Sequence, residues 1–208
     1  MRTPFLSIII ALCCGVVHSE TSRFTNLKLP LGVSVDLPSN WWVVSGGWNS
    51  SLLTAVEAKL DLAGINTSQM PDGTLIALRS FPFETYASIR VDYHRTPTGN
   101  APDVQFPESR LREIDAKMRN DMDKVISPER VLIWEPIKNT TIAGCRASVI
   151  HYLRTGADAP VLTWLHQIEL PNNDVLTIHT GFRSTEIELW EPVIQRIMNS
   201  LKITSAKE

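Results

Sequence analysis

The chain has 208 residues, 43% of them hydrophobic, and sets 20 Lys and Arg against 22 Asp and Glu for a formal charge of -2. That length suits one domain with a sizeable core. The charges are dispersed rather than gathered into a basic stripe, which disfavours a nucleic-acid partner.

At the N-terminus, Arg2 precedes an apolar run from Phe5 to Val17 and the small residue Ser19. This is the pattern of a secretory signal cleaved after Ser19. The run falls short of the about 20 residues that a membrane span needs, and Glu20-Thr21-Ser22-Arg23 adds no stop-transfer anchor. Cys13 follows Leu12, and Cys14 follows Cys13, so neither has the small residue that should precede an acylated cysteine. The expectation is a signal peptide at 1–19 and a single domain at 20–208, secreted or periplasmic, with no transmembrane segment after cleavage. Only Cys145 then remains, so no intramolecular disulfide can form. Its place after Gly144 in a strand-like run suits a small buried hydrophobe.

Val33, Val35 and Leu37 alternate with Ser34 and Asp36, and Pro38-Ser39-Asn40 turns the chain into Trp41-Trp42-Val43-Val44. Two short strands joined by a turn follow. After Ser45-Gly46-Gly47, the spacing of Leu52, Val56, Leu60 and Ala63 predicts a helix over 51–63, stopped by Gly64. Pro71-Asp72-Gly73 leads into a strand over 74–78, and Ile89, Val91 and Tyr93 alternate with Arg90, Asp92 and His94 in another. A proline-rich loop ends at Pro107, which can open a helix. In that helix Leu111, Ile114, Met118, Met122 and Val125 form one stripe, and Glu108/Arg112, Glu113/Lys117 and Asp115/Arg119 are spaced as ion pairs.

From Arg130 the period becomes two, with runs over 131–137, 146–154, 161–170 and 175–182 that read as an antiparallel meander. Ser184 and Thr185 can cap a closing helix whose buried stripe is Leu189, Val193, Ile197 and Leu201, with a kink or restart at Pro192. The meander strands are apolar on both faces: Ile150, Tyr152, Leu176, Ile178 and Phe182 on one, Val149, Leu153, Trp164 and Ile168 on the other. A sheet covered on both sides is expected, giving an α+β chain folded as a three-layer α/β/α sandwich around a mostly antiparallel sheet.

Three groups of residues are candidates for function. If Asn172-Asn173 centre the last hairpin, Leu170 faces Val175 and His166 lies opposite His179; if residues 156–159 close the earlier one, His151 faces Trp164. His151, His166 and His179 would then share one sheet face, near enough to turn toward zinc or another transition metal. The ordinary alternative is histidines hydrogen-bonded in a core or cleft, and a one-residue slip would separate them. Arg90, Asp92 and His94 share a polar strand face suited to acid–base work or to a plain ion pair. Trp41, Trp42 and Trp48 bracket the Gly46-Gly47 break and could anchor an interface, although adjacent strand residues point to opposite faces and one of the first two should fill the core. No G-x-S-x-G elbow, H-E-x-x-H helix or phosphate-binding glycine loop is present.

The entry Leu29-Pro30-Leu31-Gly32-Val33-Ser34-Val35-Asp36-Leu37-Pro38-Ser39-Asn40-Trp41, the Thr141-Ile142-Ala143-Gly144 turn before a long hairpin, and the exit from Trp190 through Ile197-Met198-Asn199-Ser200-Leu201-Lys202-Ile203 resemble the PsbP-like superfamily. The resemblance implies an α/β/α sandwich in a superfamily that includes an extrinsic photosystem II subunit, a Ran-binding nuclear import factor and exported bacterial proteins of unknown role. Its members act mostly as binding or assembly factors, and no catalytic residue carries over. The expected function is therefore an exported, non-enzymatic binding or assembly module of the bacterial envelope with a protein partner and no cofactor. A metal-binding, hydrolytic protein using the three histidines and a small-ligand carrier are the alternatives.

Overall fold

A computed structural model describes residues 23–45, 73–80, 84–97 and 104–204. The signal segment expected over 1–19, the helix expected over 51–63 and Trp48 lie outside them. The first strands are β1 (Phe24–Lys28) and β2 (Val33–Pro38), an antiparallel pair to which β11 (Lys202–Ile203) adds along the other edge of β2. Gly32 sits between β1 and β2 with φ +70°, and a Cβ there would fall on the Thr204 carbonyl oxygen. Glycine is what allows the chain's end to lie alongside.

The remaining strands are β3 (Trp42–Ser45), β4 (Gly73–Arg79), β5 (Ala87–His94), β6 (Val131–Trp134), β7 (Lys138–Ile142), β8 (Cys145–Arg154), β9 (Val161–Glu169) and β10 (Val175–Arg183). They form one antiparallel sheet in the order β3-β4-β5-β10-β9-β8-β6, with β7 also paired to β8. The single run expected over 131–137 is split, β6 ending before Pro136 and β7 starting after it, because proline cannot donate to a ladder. Ala143 and Gly144, at φ 50° and 80°, then close the β7–β8 hairpin in the two-residue turn whose twist suits paired strands.

Helix α1 (Leu111–Val125) follows a 3-10 turn opened by Pro107, and lays Leu111, Ile114, Met118 and Met122 on Ile150, Tyr152 and Leu165. Its Asp115 does not pair with Arg119. One carboxylate oxygen instead accepts hydrogen bonds from the Trp134 indole at 2.9 Å and the Ile137 amide at 3.0 Å, tying the helix to the β6–β7 corner. On the solvent side Lys117 and Lys124 share Asp121.

Helix α2 (Ile187–Ser200) buries Trp190, Ile194 and Ile197 against the opposite sheet face, and the Ser200 hydroxyl accepts the Asp36 amide of β2 at 2.8 Å. The helix neither stops nor restarts at Pro192. Pro192 and Glu188 are both exposed, so the carbonyl that proline leaves without a partner is on the side where water reaches it. With a helix on each face of an antiparallel sheet, the chain has the α+β layering expected from its sequence.

The ladders fix which side chains meet which helix. Under α1 run the rows Ser148–Gln167–Thr177–Asp92, Ile150–Leu165–His179–Arg90 and Tyr152–Thr163–Gly181–Ser88. Toward α2 run Val149–His166–Ile178–Val91, His151–Trp164–Thr180–Ile89 and Leu153–Leu162–Phe182–Ala87. Leu176, Ile178 and Phe182 thus belong with Trp164 and Ile168, not with Ile150 and Tyr152 as the sequence pattern suggested.

The cause is the last turn. Leu170 pairs with Asp174 around the three residues Pro171-Asn172-Asn173; the Asn173 amide bonds the Leu170 carbonyl, and Asn173 takes φ 65°. A tight turn followed by one left-handed residue makes a three-residue loop. Its odd length shifts β10 by one position from the two-residue expectation, and every β10 side chain changes face.

Candidate functional site

The shift dissolves the three-histidine arrangement. His166 lies opposite Ile178 and His179 opposite Leu165, so His179 faces α1 while His151 and His166 face the α2 side. Among the described residues no group of three or more His, Cys, Asp or Glu side chains is placed to hold a metal ion. The expected pairing of His151 with Trp164 is present, their rings 5.4 Å apart, and the His151 Nδ1 lies 3.4 Å from a Glu135 carboxylate oxygen. Burial holds His151 below the usual histidine range against the pull of Glu135. His166 is 8% exposed, its Nδ1 has no hydrogen-bond partner, and burial, reinforced by nearby His151, drives its pKa down to about 4.

The tryptophans divide as strand alternation requires. Trp41 is buried and meets Trp190 edge-on with ring centroids 5.6 Å apart, so it belongs to the core and not to an interface. Trp42 is 61% exposed at the start of β3. Cys145 is free and half-buried, its thiol pushed up first by burial and then by Glu169, which argues against a reactive thiolate.

The feature with the geometry of a site lies on the α1 face, where the C-terminal end of α1 stops short of β5. A cleft of about 330 Å³ opens there, walled by Met122 and Ile126 and floored by Ser88, Arg90, Tyr152 and His179. Its volume falls within the range of small-ligand sites. Asp92 lies beside it, one row along on the same sheet face and 2% exposed, held by the Thr74 hydroxyl at 2.7 Å and the Arg90 Nε at 2.8 Å. A buried carboxylate needs such partners. His179 Nε2 is 3.6 Å from the other Asp92 oxygen, beyond hydrogen-bond length. Burial lowers the His179 pKa despite Asp92 and keeps the ring neutral near pH 7, while burial raises the Tyr152 hydroxyl so that it stays a donor. At the far rim Arg154 pairs with Glu129. His94, grouped with Arg90 and Asp92 by sequence, is exposed.

No known protein family and no curated protein matches this chain. Solved structures do. The solution structure of cyanobacterial PsbP (CyanoP) from Synechocystis sp. PCC 6803 superposes with a TM-score of 0.51 over 92% of this chain and 97% of that one, at 9% identity. The fold is PsbP-like. Two further matches are a Pseudomonas aeruginosa protein of unknown function, PA94 (TM-score 0.47, 13% identity, 88% of this chain and 99% of that one), and Mycobacterium tuberculosis LpqN, involved in cell envelope biogenesis (0.43, 11%, 88% and 91%).

Within this PsbP-like fold the cleft draws on residues that sequence reasoning reached only in part. Arg90, Asp92 and His179 carried a signal as polar groups on half-apolar strands. Tyr152, Ile126 and the Arg154–Glu129 rim carried none, because they meet only when α1 docks. Chemically, the cleft's acids are engaged: Asp92 by Arg90 and Thr74, Glu129 by Arg154. Hydroxyl and guanidinium donors remain to meet an occupant.

Proposed function

We propose that this protein is an exported, non-enzymatic binding module of the bacterial envelope, and that the cleft between α1 and the β5–β10–β9 floor is where it binds. The observation that carries the reading is the engagement of both acids beside the cleft in ion pairs. A catalytic histidine is usually oriented by a hydrogen-bonded partner, and here Asp92 is engaged by two other donors and is not hydrogen-bonded to His179. Apolar walls over a donor-bearing floor suit recognition. The N-terminal segment from Arg2 to Ser19 supports export, and no described helix is long and apolar enough to cross a membrane.

The occupant is a protein partner in the leading reading and a small ligand in the second, which a volume of about 330 Å³ can seat. Capture from the envelope of the native host, followed by mass spectrometry under native conditions, separates the two. A protein or a small molecule retained by the wild type and lost from an Ile126→Trp variant that fills the cleft is the expected result. Nothing retained by the wild type, or equal retention by the filled variant, overturns the assignment.

A further inference from the structure

The ion pair at the floor of the cleft is asymmetric. Asp92 is buried, whereas the Arg90 side chain is 57% exposed and lines the cleft. Asp92 engages Nε alone, so both terminal nitrogens of the guanidinium are left over, with four N–H donors between them. The pair thus presents its cationic end to the opening and keeps its anionic end buried beside the floor. The Tyr152 hydroxyl adds a neutral donor along the next row, where the Ser88 hydroxyl, directly across from Gly181, is taken up by the Gly181 carbonyl at 3.5 Å.

The acceptors do not match this supply. Glu129 is held by Arg154, and Asp92 is buried beside the floor under two donors. Met122 and Ile126 offer a ligand only hydrocarbon and thioether surface. An occupant that satisfies these walls has an apolar body against α1 and an acceptor-rich head toward Arg90. Arg90 is paired with Asp92 through Nε and Arg154 with Glu129, so the cleft holds little spare positive charge, and the free terminal nitrogens of Arg90 match a head of one negative charge rather than the two of a phosphate monoester.

We propose that the cleft selects a small amphipathic monocarboxylate, its apolar body against Met122 and Ile126 and its carboxylate on the terminal nitrogens of Arg90. The assignment rests on reading the cleft as the binding site and adds the chemical class of its ligand. His179 sits beside the head-group position as a neutral ring, so it adds no second charge to the site.

Three probes that share one apolar body decide the question: 3-phenylpropionate, 3-phenylpropanol and 3-phenylpropylamine, each titrated into the exported chain by calorimetry and by NMR of the Ser88, Tyr152 and Gly181 amides. The carboxylate should bind, the alcohol should bind at least about tenfold more weakly for loss of a charge-assisted hydrogen bond, and the amine should not bind. Arg90→Gln should bring the carboxylate down to the alcohol's affinity. Because that change could disturb Asp92, Ile126→Trp serves as a second variant, expected to abolish binding with the sheet amides unshifted elsewhere. Equal binding of alcohol and carboxylate would overturn the ligand class and leave the cleft as a binding site. Failure of all three probes to move the cleft amides would overturn the ligand class, while host capture that depends on the open cleft would still sustain the broader reading.

Discussion

Among the polar side chains buried in this sheet, Asp92 and His166 face opposite helices and are managed in opposite ways. Asp92, on the α1 face, is met by the Thr74 hydroxyl and the Arg90 guanidinium. His166, on the α2 face, has a ring nitrogen with no partner and sits among apolar neighbours as a neutral ring. A carboxylate of low intrinsic pKa resists neutralisation and must be paired, whereas an imidazole sheds its proton at modest cost. The α1 face can therefore hold polar chemistry, and the α2 face is committed to cohesion.

That contrast can be broken from either side. The largest effect should come from the cohesive face: Phe182→Ala, which removes a ring buried against Trp164, is expected to cost about 3–5 kcal/mol in urea denaturation. A loss below about 1 kcal/mol would show that the α2 face is not the main core.

Next is the pH dependence of His166. Its folded pKa, about 4, lies below the ordinary 6.5, so the unfolded chain takes the proton first. The stability from keeping this ring neutral is complete above about pH 6.5 and declines as pH falls toward 4, by up to about 3 kcal/mol in all. Denaturation midpoints at pH 7.5 and 4.5 should converge in His166→Leu relative to wild type. Parallel decline in both proteins would place the titrating group elsewhere.

On the polar face, Asp92→Asn is expected to cost about 1.5–3 kcal/mol, the worth of hydrogen bonds to a charged group. The cost should shrink when Thr74 has already been changed to Val, because the two changes touch one network; strict additivity in that double-mutant cycle would argue against the shared hydrogen bond. The smallest effect belongs to the solvent face of α1. Lys117→Ala should leave the thermal midpoint nearly unchanged, since its pair with Asp121 is exposed, and a shift of several degrees would reveal a network there.

Elements with a strong period were legible in the sequence: both described helices, the meander, and the division between Trp41 and Trp42 follow from local spacing. What escaped was decided by single residues acting at a distance. Asp115 had Arg119 within reach along its own helix, yet it serves Trp134 and Ile137, backbone and indole donors that only docking brings near. The histidine site failed for a narrower reason. Asn172-Asn173 reads equally well as a two-residue turn or as the tail of a three-residue one, and choosing between them depends on Asn173 entering a left-handed conformation. The Asp174 carboxylate helps hold that choice, accepting from the Asn172 side chain, the Thr96 amide and the Tyr93 hydroxyl, and three of these four residues lie outside the turn's central pair.

The three-residue turn also limits how this chain can vary over evolutionary time. Adding or deleting one residue there would not be a local edit: it would exchange the two faces of β10, sending Leu176, Ile178 and Phe182 toward the cleft and His179 into the core. Length changes at that loop should be rare among descendants of this sequence. The longer connection from Thr155 to Pro160 can absorb them more readily, because a longer loop has more ways to take up a residue while the paired strands keep their parity.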